Sequence, residues 1–370
     1  MRVRVIKAKE CSKNKKMVIQ SLAIITALLI TGVFILTIGH NPINVYVSMI
    51  EGAFGSAYRL QETIVKAIPL LITALGIAVA FKMKFWNIGA EGQIIMGAFG
   101  ASYIALNFSD LSKPVVLLLM AASAVVCGGI WGLIPGYLKA KWGTNESIVT
   151  LMMNYIALKW IVYLQYGPWK DKASLGFPKV ANFADSAVLP KVFGVHIGWI
   201  IALLLVVIIH VFINYTKKGY EIVVLGESEN TARYAGMDIK KVILLATCLS
   251  GGIAGLSGMV QASAVSNTLN MQVAGGTGYT AIIVAWLSGL SAPWMVVVAL
   301  LFAALVQGGS YIQTAFQIPQ SAADIIQALI LFCVLGSQFF VNYKVIAELR
   351  KTRGTEAVGS DQEGGKRSGY

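Results

Sequence analysis

The sequence predicts an all-α polytopic membrane protein of about ten transmembrane helices, some short or broken, with both termini in the cytoplasm. Three observations lead there. Hydrophobic residues make up 56% of the 370 positions and charged residues only 13%, whereas a soluble domain carries about 25% charge to hold its surface in water. Apolar runs of spanning length, about 20 residues, lie near 17–39, 62–81, 91–107, 115–137, 147–166, 197–214, 242–263, 293–312 and 324–343. The third observation is where the positive charge falls.

The net charge of +13 sits largely in short runs beside the apolar segments, as the positive-inside rule expects. No single basic face of the kind that binds nucleic acid is written in the sequence. A shorter apolar run, 278–290, is fenced by glycines and Pro293. It reads either as a short span or as half of a broken helix lining a cavity. Counting it as a crossing gives ten, and Lys82/Lys84, Lys139/Lys141, Lys217/Lys218 with Lys240/Lys241, and Lys344/Arg350/Lys351/Arg353 then share the side of the N-terminus. Nine crossings would export the basic tail. Ten places 167–196 outside with Lys170, Lys172, Lys179 and Lys191, in a long loop that obeys the rule weakly.

The first run follows seven basic residues and exceeds the roughly 7–15 residues of a signal-peptide core. It reads as a retained helix. The domain reading is thus a basic cytoplasmic segment 1–16, a transmembrane domain 17–343 with a long connection at 215–241, and a cytoplasmic tail 344–370. From Thr352 the tail is rich in Gly, Ser, Glu and Lys and is expected to be disordered. The expected location is the cell membrane, with the lipid bilayer as surroundings.

Two polar strings interrupt the apolar background: Asn87-Ile88-Gly89-Ala90-Glu91-Gly92-Gln93, and Gly143-Thr144-Asn145-Glu146 running on to Thr150 and Asn154. An ionisable group at the centre of a membrane helix costs about 2.5–3.5 kcal/mol on insertion scales, so it usually faces a cavity or a partner. Glu146, Thr150 and Asn154 are four apart and share a helix face, and Tyr155 follows. Asn145 suits an N-cap with Glu146 in the first turn. Asn154, two turns in, asks for an interhelical hydrogen bond or a substrate contact. Asn87 suits the cap of a helix beginning near Ile88, with Glu91 early in it. Gly89 and Gly92 then permit close packing or a break that aims the helix start into a path. The candidate path residues are Asn87, Glu91, Gln93, Glu146, Thr150, Asn154 and Tyr155, with Trp86, Trp160, Tyr279 and Trp286 as possible stacking faces.

Other chemistry finds no pattern. Cys11, Cys127, Cys248 and Cys333 form no C-x-x-C pair, and His40, His196 and His210 show no metal-ligand spacing. Gly251, Gly252, Gly255 and Gly258 make a small-residue packing face. Neither they nor Gly275-Gly276-Thr277-Gly278 have the strand–turn–helix setting of a nucleotide loop, and no Walker A lysine motif occurs. No nucleophile–base pair is visible, so no catalytic residue, metal or cofactor is expected on this chain. In 215–241, Glu229 and Arg233 are a helix-favouring i,i+4 pair and Gly236 is a natural stop. A short exposed helix is expected there, either a solvated surface or a docking element.

The first polar string, then Thr144-Asn145-Glu146 with Thr150 to Tyr155, then Ala232-Arg233-Tyr234-Ala235-Gly236-Met237 leading to Leu249–Gly255, occur in that order. The sequence so resembles, from about Met17 to Tyr343, permease subunits of nucleoside-type ABC importers within the simple-sugar and branched-chain amino acid permease superfamily. The resemblance implies a transport subunit without an ATPase site of its own. A second permease, often a related but distinct chain, would complete a central path. ABC ATPase subunits carrying ATP-Mg would dock below, and an external substrate-binding lipoprotein would deliver the ligand. It further implies that Glu227 to Met237 is the coupling helix, with Glu227, Glu229, Asn230, Arg233, Tyr234 and Gly236 facing the ATPase. The Glu227-Ser228-Glu229 stretch departs from the Asn or Pro more usual there. Nucleosides are the expected cargo, simple sugars the alternative. The rival mechanism is an ion-coupled carrier using Glu91 and Glu146.

Overall fold

The computed structural model describes residues 2–7, 13–171, 174, 176 and 178–348. They divide into two units, one of residues 28–331 and one of the chain ends, 1–27 with 332–370. In chain order, β1 (Arg2–Lys7) precedes α1 (Lys13–Thr37), α2 (Pro42–Phe54), α3 (Ala57–Lys82), α4 (Ala90–Asn107), α5 (Lys113–Trp142) and α6 (Glu146–Tyr166). A loop with a 3-10 turn at Asp185–Ala187 and a small hairpin, β2 (Lys191–Val192) with β3 (Val195–His196), leads to α7 (Gly198–Tyr215). Then come α8 (Lys217–Glu227), α9 (Glu229–Tyr234) and α10 (Ile239–Val260), which continues as a π-helical turn, Gln261–Ser266. The chain closes with α11 (Thr277–Leu287), α12 (Ala292–Phe316), α13 (Gln320–Asn342) and β4 (Tyr343–Glu348). Within the unit of chain ends, β1 and β4 pair antiparallel, Arg2 opposite Glu348. The tail expected to be disordered lies outside the described residues.

Helices overlie all ten apolar runs of the sequence. Among the described residues seven are long and apolar enough to cross a membrane: α3, α5, α6, α7, α10 with its π turn, α12 and α13. The first run forms one helix, α1, and a second helix, α2, follows it directly. α1 and α2 meet at 111°, because Gly39 turns left-handed at φ 89° and Asn41 caps α2 through Ile43 N at 2.9 Å, with Pro42 at the first turn. α11 has 11 residues, about 16 Å of rise, or half of a hydrocarbon core of roughly 30 Å. The run 278–290 thus forms one short helix.

α3 is the innermost element of the larger unit, buried without a break from Ile68 to Phe81, as a helix apolar on all sides must be. α10 packs on α3, α4 and α5 through its glycine face. A Cβ added to Gly255 would run into the Ala124 carbonyl of α5, one on Gly251 into Gly128, and one on Gly258 into the Ile94 carbonyl of α4. Gly97 and Gly255 touch backbone to backbone. Lipid tails are as apolar as leucine, so close packing at small residues holds such helices together.

The 215–241 connection contains the short exposed helix expected, α9, and a second helix, α8, before it. Thr216 caps α8 through Gly219 N at 3.1 Å, and Ser228 both ends α8 and caps α9 through Thr231 N at 3.2 Å. Ile222 and Gly226 bury one side of α8, and Gly226 rests directly on the Lys82 carbonyl at the end of α3.

The hairpin before α7 buries His196, and neither ring nitrogen has a hydrogen-bond partner. Burial, with Lys191 adding to it, lowers its pKa from 6.5 to about 4. The folded ring is therefore neutral where the unfolded one takes up a proton, so stability falls as pH drops from 6.5 towards 4. The loss should reach roughly 3 kcal/mol at the lower end. Hydrogen exchange of residues 189–198 is expected to accelerate across that window, and His196→Leu should flatten the dependence.

Candidate functional site

The first polar string and the middle of α6 meet in one buried network. Tight turns, Asn87 N to Phe85 O at 2.9 Å and Ile88 N to Trp86 O at 3.1 Å, delay α4 until Ala90, with Gly89 as a cap that lacks a side-chain bond. Asn87 is therefore not the helix cap expected of it. Its Oδ1 accepts from Gly89 N at 3.1 Å and Gln93 Nε2 at 3.2 Å, while its Nδ2 donates to Gln93 Oε1 and to Ser250 Oγ of α10, both at 3.0 Å. Asn87 and Gln93 form a reciprocal amide pair fastened to α10.

Glu91 lies in the first turn of α4 and reaches the start of α11. Its Oε1 accepts from Gly276 N at 2.8 Å and its Oε2 from Gly278 N at 2.7 Å. One carboxylate thus answers the positive ends of two helices at once. Gly276 caps α11 at φ 79°, a conformation that costs an L side chain about 1–2 kcal/mol. Gly278 leaves no room for a Cβ against Glu91 N.

Asn154 ties α6 into the same place. Gly92 N donates to its Oδ1 at 2.8 Å, and its Nδ2 donates to Ile88 O at 3.0 Å and Tyr279 OH at 3.2 Å. Of its two readings, the interhelical bond is the one the geometry shows. Thr150 returns its hydroxyl to Glu146 O at 2.7 Å and packs under Gly89. The structure brings together Asn87, Glu91, Gln93, Thr150 and Asn154. Glu146 bonds elsewhere, to Lys139 Nζ of α5 at 2.9 Å, while Asn145 caps α6 as expected. Tyr155 points out of the unit, 57% exposed. Ser250, Gly276 and Gly278 complete the network. No local pattern marks them, because each partner lies more than 150 positions away.

The tryptophan candidates separate into two groups. Trp86 and Trp286 stack at 5.5 Å, with Phe81 beside both. Trp160 meets Phe99 edge-on at 5.9 Å, and Phe99 stacks on Trp169 at 5.3 Å. On α9, Arg233 pairs with Glu229 at 3.0 Å and Gly236 is left-handed at φ 71°. Glu227, Glu229, Asn230, Arg233 and Tyr234 are all exposed, Tyr234 by 94%.

The family described as the branched-chain amino acid transport system / permease component has a model that matches residues 59–335, from α3 into α13. The chain belongs to that family. This permease is 34% identical to a glucose ABC transporter permease protein of Haloferax volcanii, over 88% of each chain. It is 33% identical to a guanosine ABC transporter permease protein of Bacillus subtilis, over 89% of this chain and 95% of that one. A nucleoside ABC transporter permease protein of Lactococcus lactis is 29% identical over 96% of the permease and its own full length. The resemblance drawn from the polar strings and the glycine face is thereby shown.

Proposed function

We propose that this permease is the membrane subunit of an ATP-driven importer that passes nucleosides, or closely related ligands, into the cell. The observation that carries this reading is that two of the three relatives named are guanosine and nucleoside permeases, matched over 95% and 100% of their lengths. The glucose relative keeps simple sugars as the second reading. The family description itself names amino acids, so the family alone does not choose the cargo. In this reading α4 and α11 join the seven long spans and the bent first span to make ten crossings. Both termini face the cytoplasm of a cell membrane.

ATP-Mg is bound and hydrolysed on an ABC ATPase subunit, a second permease closes the path, and an external lipoprotein delivers the ligand. Asn87, Glu91, Gln93, Thr150 and Asn154 frame the path by joining the starts of α4 and α11, so that the two helices move together. Tyr155 offers an outward face to the partner permease. The exposed row on α9 docks the ATPase. An ion-coupled carrier is the weaker alternative, since the carboxylates it needs are engaged with Gly276, Gly278 and Lys139.

The test is reconstitution of the tagged chain with whatever ATPase, permease and lipoprotein copurify from its native membrane. Uptake of labelled guanosine or uridine that requires ATP supports the reading. Uptake of glucose alone would overturn the nucleoside assignment, and uptake driven by an ion gradient would overturn the transport class. Arg233→Glu combined with Gly236→Pro, which forces φ near −65° where 71° is needed, is expected to cut uptake at least tenfold while membrane abundance holds. Unchanged uptake in that variant would remove α9 from coupling.

A further inference from the structure

Lys66 is a charge inside the most buried span, and the network around Glu91 does not use it. It opens onto a cavity of about 240 Å³ bounded by α3, the π turn of α10, the start of α11 and α12, with Pro69, Gln261, Thr277, Thr280 and Val306 on its walls. We propose that this cavity is a subsite for the hydroxylated sugar ring of the transported ligand. The proposal rests on the nucleoside reading above and names the part of the ligand that the chain itself would recognise.

The polar groups here differ from those of the Glu91 network in one respect: their bonding capacity is largely unspent. An ammonium has three donors, and Lys66 gives one, to Ser310 Oγ at 2.9 Å. Among the described residues no other acceptor lies within hydrogen-bonding distance of it, and the Gln261 amide and Thr277 hydroxyl have no protein partner. Thr280 makes a single long bond, to Gly276 O at 3.3 Å. Pro69 lacks the N–H that the Val65 carbonyl would receive in a regular helix, which leaves an acceptor at the same wall. Lys66, Gln261, Thr277 and Thr280 thus set a few polar groups into an otherwise apolar lining. A polar occupant would give these groups partners that the protein does not supply.

Size and charge narrow the occupant. Pockets for drug-sized ligands hold about 300–1,000 Å³, so 240 Å³ takes a single ring and not a whole nucleoside. The Lys66 charge does not create an anion site. Glu62 stands one turn before it and acts on it electrostatically, and the Glu91 carboxylate holds the far side of the α11 start. A cation offset by a carboxylate one turn away is a weak anchor for phosphate. A neutral ring with several hydroxyls, each able to donate and accept, matches the lining. The π turn that begins at Gln261 is the kind of helix irregularity that recurs at functional sites.

The experiment uses the full transporter in vesicles and compares initial uptake of uridine with that of 2′,3′-dideoxyuridine. The binding protein is the same throughout, so a change in the ratio belongs to this chain. Lys66→Met and Gln261→Leu are each expected to lower uridine uptake at least tenfold. The preference over the dideoxy analogue should shrink at least fivefold, with basal ATPase activity and membrane abundance unchanged. Should either variant fail to insert, Thr280→Val reads the same ratio with a smaller shift in the same direction. A ratio that stays at the wild-type value in the inserted variants overturns the subsite. If the wild type carries glucose and no nucleoside, the nucleoside reading falls. The same variants then judge the subsite on glucose against 2-deoxyglucose, where an unchanged preference overturns it as well.

Discussion

Glu91→Ala is expected to be among the most damaging single changes in the chain. It removes both acceptors from Gly276 N and Gly278 N, and a hydrogen bond to a charged group contributes about 1.5–3 kcal/mol. The sum, about 3–6 kcal/mol, is comparable with the whole stability of many domains, about 5–15 kcal/mol. The purified complex should denature well below the wild type, and little of it should accumulate in the membrane. Glu91→Gln keeps one acceptor for one of the two N–H groups and turns its amide donor on the other, so an intermediate loss is expected. Thermal unfolding measured beside uptake separates this bracing role from ion carriage. A carrier site would show Glu91→Gln with normal stability and abolished uptake.

The second large effect belongs to the seam between α10 and α4. Gly258→Ala would drive a methyl group into the Ile94 carbonyl. Overpacking commonly costs about 1–3 kcal/mol, but here the obstacle is backbone in both helices and no side chain can rotate away. A cost above about 4 kcal/mol is expected, in the range tied to gross rearrangement, and the variant should be lost from the membrane fraction. Gly143→Ala is the matched control. Nothing lies within 4 Å of a Cβ there, so only the left-handed backbone at φ 65° resists, at about 1–2 kcal/mol. Equal abundance of the two variants on a membrane blot would show that the seam is looser than its contacts indicate.

What the sequence made legible is what is local. Asn145 with Glu146, and Glu229 with Arg233, are read correctly because cap and i,i+4 geometry need only a few neighbouring residues. The glycine face of α10 is legible for the same reason, and the apolar runs follow from composition. Asn87 shows the limit. Its cap-like position is visible, but its bond to Ser250 depends on where α10 passes, 163 positions on. Glu91 was marked as a polar residue in need of a partner, yet nothing near it identifies two glycine N–H groups at the other end of the chain. The helix α2 carried its signal in Asn41-Pro42, diluted by Asn44 and Glu51 in an otherwise apolar stretch. Lys66 went unremarked inside the apolar run 62–81, and only the fold shows that it shares a cavity with Gln261 and Thr277.

Gly226 lies on the Lys82 carbonyl with no side chain between them to act as a cushion. Under the coupling role proposed for α9, a displacement of the α8–α9 elbow would reach the foot of α3, five residues before Asn87, through this contact. Its stroke would then be set by backbone touching backbone, as in a push-rod with no play. A single methyl group at Gly226 would act as a shim, preloading the innermost column of the membrane domain.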